Sequence, residues 1–123
     1  MWDSMTPEQQ NNWLAERIMM WRKRPVKPEF PDDMVWVNKE GLIMCCDCDW
    51  KPTSDITAVF EVEEKIKELG KQDLYVMNLF DVMGYSFNET VDWVDLFGFV
   101  HATPAQRMKA TYMAVKEAQD DKV

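Results

Sequence analysis

A chain of 123 residues suits one domain with a real core, and its 46% hydrophobic and 29% charged content excludes a disordered polymer. The formal net charge of −8 excludes phosphate-backbone binding as the main activity, because that binding depends on Lys and Arg displacing counterions; direct nucleic-acid binding is not expected. No apolar run approaches the roughly 18 residues that span a bilayer, and the polar, acidic start at residues 1–12 is unlike a signal peptide, so the expected setting is cytoplasmic, without membrane attachment.

The first predicted helix runs from about Thr6 to Arg22. It opens on Thr6-Pro7-Glu8-Gln9, a capping box with Pro at the first helical position. Leu14, Ile18 and Trp21 recur at helical spacing, and Arg22-Lys23-Arg24 would fall at the C-terminus, where positive charge complements the macrodipole. Pro25, Pro28 and Pro31 then predict an extended linker. Residues 34–37 and 42–46 read as a hairpin around the turn Asn38-Lys39-Glu40-Gly41. A loop over residues 47–53 leads to a second helix starting at Thr53 or Ser54. Its first turn carries Asp55, its buried stripe is Val59, Val62, Ile66 and Leu69, and Gly70 terminates it. Glu61–Lys65 and Glu63–Lys67 are expected pairs on its wet face.

Residues 74–80 are almost continuously apolar and read as a strand covered on both faces. Residues 91–100 read as a second strand, wetter on the face of Asp92 and Asp95, with a loop at 81–90 between the two. The last helix, 104–118, repeats the capping box in Thr103-Pro104-Ala105-Gln106 and turns Met108, Tyr112 and Val115 inward. The expected fold is therefore α+β in the order α-β-β-α-β-β-α. About four mostly antiparallel strands, with helices on the sheet faces, would make a three-layer-like α/β/α sandwich. The whole chain reads as a single domain, residues 1–123, with a core of about 6–118 and frayed ends.

Three segments together carry a family resemblance. They are Leu14-Ala15-Glu16-Arg17-Ile18-Met19-Met20-Trp21, then Trp50-Lys51-Pro52-Thr53-Ser54-Asp55-Ile56, then Ala102-Thr103-Pro104-Ala105-Gln106-Arg107 running on to Ala114-Val115-Lys116-Glu117-Ala118. In order and spacing they resemble the phage ABA-sandwich domain family of small bacteriophage and prophage proteins, over about residues 10–118. Met20 stands where that family carries a small residue before the helix Trp. The resemblance implies an α/β sandwich and a viral origin, and it implies no catalytic residues.

The residues themselves offer few chemical constellations. Cys45, Cys46 and Cys48 with His101 are the candidates for a zinc site. Cys45 and Cys46, however, are strand neighbours that point to opposite faces, so buried structural thiols are the ordinary reading. Asp47, Asp49 and Asp55 are candidates for a hard cation, but an EF-hand would need Gly and Glu where Pro52 and Ala58 stand. No cofactor is expected. A lone His101 without a paired nucleophile, and four isolated glycines, argue against an enzyme.

The concentrated feature is basic and aromatic: Arg17, Trp21, Arg22, Lys23, Arg24 and Lys27, with Trp36 and Trp50 as candidate walls. Arg forks match phosphates and Trp stacks on bases, so this cluster fits a small anionic nucleotide-like ligand. One expectation is thus a non-enzymatic phage counter-defence protein that sequesters a nucleotide-type signal. A second is an inhibitor of a host defence protein, with an acidic, nucleic-acid-mimicking surface in which Asp32, Asp33, Glu40, Asp92 and Asp95 matter. A third is a virion or packaging accessory part. Ten Met and six Trp also fit a self-association face, hence a homo-oligomer.

Overall fold

The computed structural model describes residues 1–85 and 93–120, with side chains at 1–85 and 96–116. The fold is α+β. In chain order it has α1 (Pro7–Arg17), β1 (Arg22–Lys27), β2 (Phe30–Val37), β3 (Ile43–Cys46), α2 (Ile56–Glu68), α3 (Gln72–Val82), α4 (Trp93–Val100) and α5 (Pro104–Asp120). Single 3-10 turns lie at Trp2–Ser4 and Asp47–Asp49. The backbone groups into two compact units, Asp3–Lys51 and Pro52–Val123, with Trp2 belonging to the second.

In the first unit α1 starts as the capping box dictates. Gln9 N–H donates to Thr6 Oγ1 at 3.2 Å, and Thr6 N–H donates to Gln9 Oε1 at 2.9 Å. The helix stops five residues earlier than its apolar spacing predicts. Met19 N–H donates back to Leu14 O at 3.1 Å and Trp21 N–H to Ala15 O at 2.9 Å, a wide closure of the last turn, and Met20 takes the left-handed conformation between them, at φ 60°. A glycine there would have announced the stop; a methionine hides it. The early stop moves Arg22, Lys23 and Arg24 off a helix end and onto a strand.

The sheet has three antiparallel strands in the order β1-β2-β3. The expected linker through Pro25 is instead β1. Pro25 is tolerated because β1 is an outer strand, where a missing N–H need not break a ladder. β1 pairs with β2 from Arg22↔Val37 to Pro25↔Met34, then shifts register before Lys27↔Phe30. β3 covers only the end of β2, from Val35↔Cys46 to Val37↔Ile43. Val35, Trp36 and Val37 are buried in succession, so this end of β2 is covered on both faces. Leu14, Ile18, Trp21 and Trp50 complete the unit's core, with the Trp21 and Trp50 rings edge to face at 4.8 Å.

The second unit is helical among the described residues. The expected strand at 74–80 is α3, and the expected strand at 91–100 is α4 from Trp93 onward. Val91 and Asp92, and 86–90 of the expected loop, lie outside the described residues. Among the described residues the order is therefore α-β-β-β-α-α-α-α, with three strands where four were expected. The continuous apolar run misled because a buried helix and a buried strand share it. In α3 the buried positions are Tyr75, Asn78, Leu79 and Phe80, while Met77 is exposed, which is helical spacing. Phe80 stacks on Phe99 of α4 at 4.8 Å, and the absence of a Cβ at Gly98 leaves room for the Tyr85 hydroxyl.

α2 begins with Asp55 as its cap, the carboxylate accepting from Thr57 N–H at 3.1 Å. Ala58, Val59, Val62 and Ile66 are buried, whereas Leu69, expected inward, is exposed where the helix ends before Gly70 at φ 70°. α5 carries the second capping box, with Gln106 N–H to Thr103 Oγ1 at 3.2 Å and Thr103 N–H to Gln106 Oε1 at 2.9 Å. It buries Met108, Ala110, Thr111, Ala114 and Val115; Tyr112 is half-buried against the Trp2 ring at 5.2 Å.

Candidate functional site

The basic–aromatic cluster is split by strand geometry. Arg22 and Arg24 lie two apart on β1, project to one face and are exposed, as is Arg17 at the end of α1. Lys23 projects to the other face and is half-buried. Its Nζ lies 3.2 Å from Asp47 Oδ1 and 4.9 Å from the Trp36 ring centroid, and donates to Asn12 Oδ1 at 3.3 Å. This ammonium is thus engaged in holding the 3-10 turn and α1 to the sheet. Trp21, Trp36 and Trp50 are core residues, at 8%, 0% and 4% exposure. Trp50 Nε1 donates to Asn11 O at 2.9 Å, while Trp36 Nε1 is buried without a hydrogen-bond partner.

A cavity lies elsewhere among the described residues. It measures about 470 Å³ and opens where β3 ends, between the β1–β2 hairpin and the 3-10 turn. Val26, Phe30 and Met34 give it apolar walls, and Asp32, Asp33 and Asp47 give it carboxylates. Lys27 is the one member of the basic cluster that lines it, and Cys46 and Cys48 complete the rim. The cavity escaped the sequence reading because β2 was expected to start at Met34. With that start the two hairpin strands differ by one residue, and no stretch of β2 is left without a partner. The stretch Phe30–Pro31–Asp32–Asp33–Met34 carries no apolar–polar alternation, and its proline argues against a strand.

Cys45 and Cys46 lie on β3, Cys48 lies in the 3-10 turn, and none of the three is in a disulfide. They are not the buried thiols expected: Cys45 is half-buried and Cys46 and Cys48 are exposed, because β3 is an outer strand and the turn after it lies at the surface. His101 lies just before α5, its ring stacked on Phe97 at 4.1 Å and its Nδ1 2.8 Å from Phe97 O. Asp47 is paired with Lys23, and Asp55 is spent on the α2 cap. Among the described residues no three His, Cys, Asp or Glu side chains converge in a metal-binding arrangement. Of the acidic residues, Asp32, Asp33, Glu40 and Asp49 are exposed; Asp92 and the Asp95 side chain lie outside what is described.

A second polar cluster ties the helices of the second unit. Glu63 does not pair with Lys67 but takes Arg107 Nη1 at 3.0 Å and the Tyr75 hydroxyl. Arg107 Nε and Nη2 donate to Ala102 O at 3.0 Å and Val100 O at 2.9 Å. Burial, then the hydrogen bond and charge of Glu63, push the Tyr75 hydroxyl far above the ordinary tyrosine range, against a smaller opposing pull from Arg107. Every member has a structural partner, so the cluster reads as a clasp.

The two edges of the sheet differ in kind. β1 carries Arg22, Lys23, Arg24, Pro25 and Lys27, the charged and proline residues that discourage edge pairing. β3 is uncharged from end to end, and Leu42, Ile43 and Met44 are exposed at 63%, 53% and 46%. Acidic Glu40 precedes this stretch, and Asp47 and Asp49 follow it. Among the described residues no helix is long and apolar enough to cross a membrane. No family model, curated protein or solved structure matches the chain.

Proposed function

We propose that this is a non-enzymatic accessory protein that acts by binding another protein, in the phage-type setting its capped helices resemble: an acidic inhibitor of a host defence protein. The observation that carries the reading is the unguarded β3 edge. An exposed, uncharged outer strand can accept a partner strand through main-chain hydrogen bonds, while its alternate side chains set specificity. The acidic residues at both ends of β3 and the net charge of −8 favour a basic partner surface and steer it in. The nucleotide-sequestration reading keeps the exposed guanidiniums of Arg22 and Arg24 but loses its stacking platform to the core.

The test is capture from bacterial lysate on immobilised wild-type protein and on the Ile43→Lys/Met44→Lys variant. A stoichiometric partner retained by the wild type and lost by the variant is expected. No partner on the wild type, or equal retention by both, sinks the reading. Calorimetry with cyclic nucleotides separates the alternative: heat that disappears in Arg22→Glu/Arg24→Glu would replace protein contact with anion binding.

A further inference from the structure

We propose that the cavity at the end of β3 is a docking slot for an extended peptide segment bearing one basic side chain, laid along β2 in the lane that β3 vacates. The inference rests on the protein-contact reading above and adds a second point of contact, beside the β3 edge and along β2.

The lane is a consequence of unequal strands. β2 has eight residues, and β3 pairs only with its last three, so along residues 30–34 the ladder is with β1 alone, at Phe30 and Met34 on either side of the register shift. At about 3.3 Å per residue this uncovered length is roughly 16 Å. β3 does not continue along it because the chain turns away at Asp47–Asp49. The cavity is lined by that same stretch of β2, through Phe30, Asp32, Asp33 and Met34. It is thus a place where the sheet lacks its third strand, and strand addition is the interaction that such a place offers.

Charge selects the occupant. Asp32, Asp33 and Asp47 line the cavity against Lys27, and Lys23 engages Asp47 from behind at 3.2 Å. Three carboxylates against two ammonium groups leave one negative charge unmatched. A Lys or Arg side chain supplies the match. Its methylene stem suits the walls of Val26, Phe30 and Met34, and its cation can sit on the Phe30 ring. A phosphate-bearing ligand would instead meet the carboxylates of Asp32 and Asp33.

Fluorescence anisotropy with the full chain tests this, using a labelled valine–threonine peptide with a single central arginine. Its controls are the same peptide with glutamate in place of the arginine and a version N-methylated on alternate backbone nitrogens. The arginine peptide should bind, the other two should not, and Asp32→Asn/Asp33→Asn should weaken binding by at least about tenfold, the scale of one lost close charge pair. Bound peptide should also slow alkylation of Cys46 and Cys48, located by mass spectrometry. Circular dichroism confirms that the exposed double variant remains folded. Absence of binding, equal binding of the glutamate peptide, an unaffected double variant or unprotected thiols would each overturn the inference. So would a wild-type self-association lost in Asp32→Asn/Asp33→Asn, which would give the slot to a second copy. If lysate capture still depends on Ile43 and Met44 while the arginine peptide is ignored, only the slot falls and the protein-contact reading stands.

Discussion

Replacing Arg107 with methionine probes the clasp among α2, α3 and the α4–α5 junction. Methionine keeps much of the buried stem and removes the guanidinium. Three donors are lost, at 3.0 Å to Glu63, 3.0 Å to Ala102 O and 2.9 Å to Val100 O. Hydrogen bonds to charged groups contribute about 1.5–3 kcal/mol each, so a naive sum reaches about 4.5–9 kcal/mol. Two effects reduce it. Ordering an Arg side chain costs about 2 kcal/mol of rotamer entropy, which the variant does not incur. The Arg107 and Glu63 side chains keep 14% and 21% exposure, so water replaces part of what is lost. A loss of about 2–4 kcal/mol remains, against the ~5–15 kcal/mol typical of a domain, so the variant should still fold. With a urea m-value of about 2 kcal/mol/M the midpoint should fall by about 1–2 M. Arg107→Lys should lose about half as much, because one ammonium cannot span three acceptors. A midpoint shift below about 0.3 M for Arg107→Met would refute the clasp.

Met20→Gly should stabilise the protein by up to about 1 kcal/mol in urea unfolding, since relief of a left-handed non-glycine residue outweighs glycine's extra unfolded-state entropy; a destabilised variant would count against the left-handed placement of Met20. Trp50→Phe should cost about 1–3 kcal/mol more than Trp36→Phe, because only Trp50 forfeits a buried hydrogen bond and Trp36 sheds an orphaned N–H. The reverse order of urea midpoints would contradict the placement of the two indoles. Tyr75 has its folded-state pKa raised, so its stabilising contribution is complete below the unfolded value of about 10 and is lost as pH rises above it. Tyr75→Phe should therefore flatten the alkaline fall in stability between about pH 9 and 11, and an unchanged slope would exclude Tyr75 as its source.

Both capping boxes could be read at once because each is a local contract between one hydroxyl, one amide and two backbone N–H groups. Nothing distant alters it. Segment 74–80 could not, because a run without polar punctuation has no period, and only packing against α5 and α4 decides between helix and strand. β1 was hidden for a related reason: Pro25, Pro28 and Pro31 argue against a central strand, yet an outer strand asks nothing of a proline's nitrogen. The basic residues were visible as a cluster in one dimension. Their separation depended on α1 stopping at Arg17, which turned on a single methionine in a glycine's conformation. The carboxylates of Asp32 and Asp33 were visible as acids, but their meeting with Cys46 and Asp47 follows from pairing register, which no nearby residue spells out.

A sheet with one barred border and one welcoming border can grow in only one direction. Whatever strand joins beyond β3, the far side stays shut behind Arg22, Arg24 and Pro25. Accretion therefore halts after a single guest unless that guest brings an open border of its own. Under the proposed strand addition the expected stoichiometry is one to one, and the chemistry of β1 disfavours fibres built by repeated strand addition.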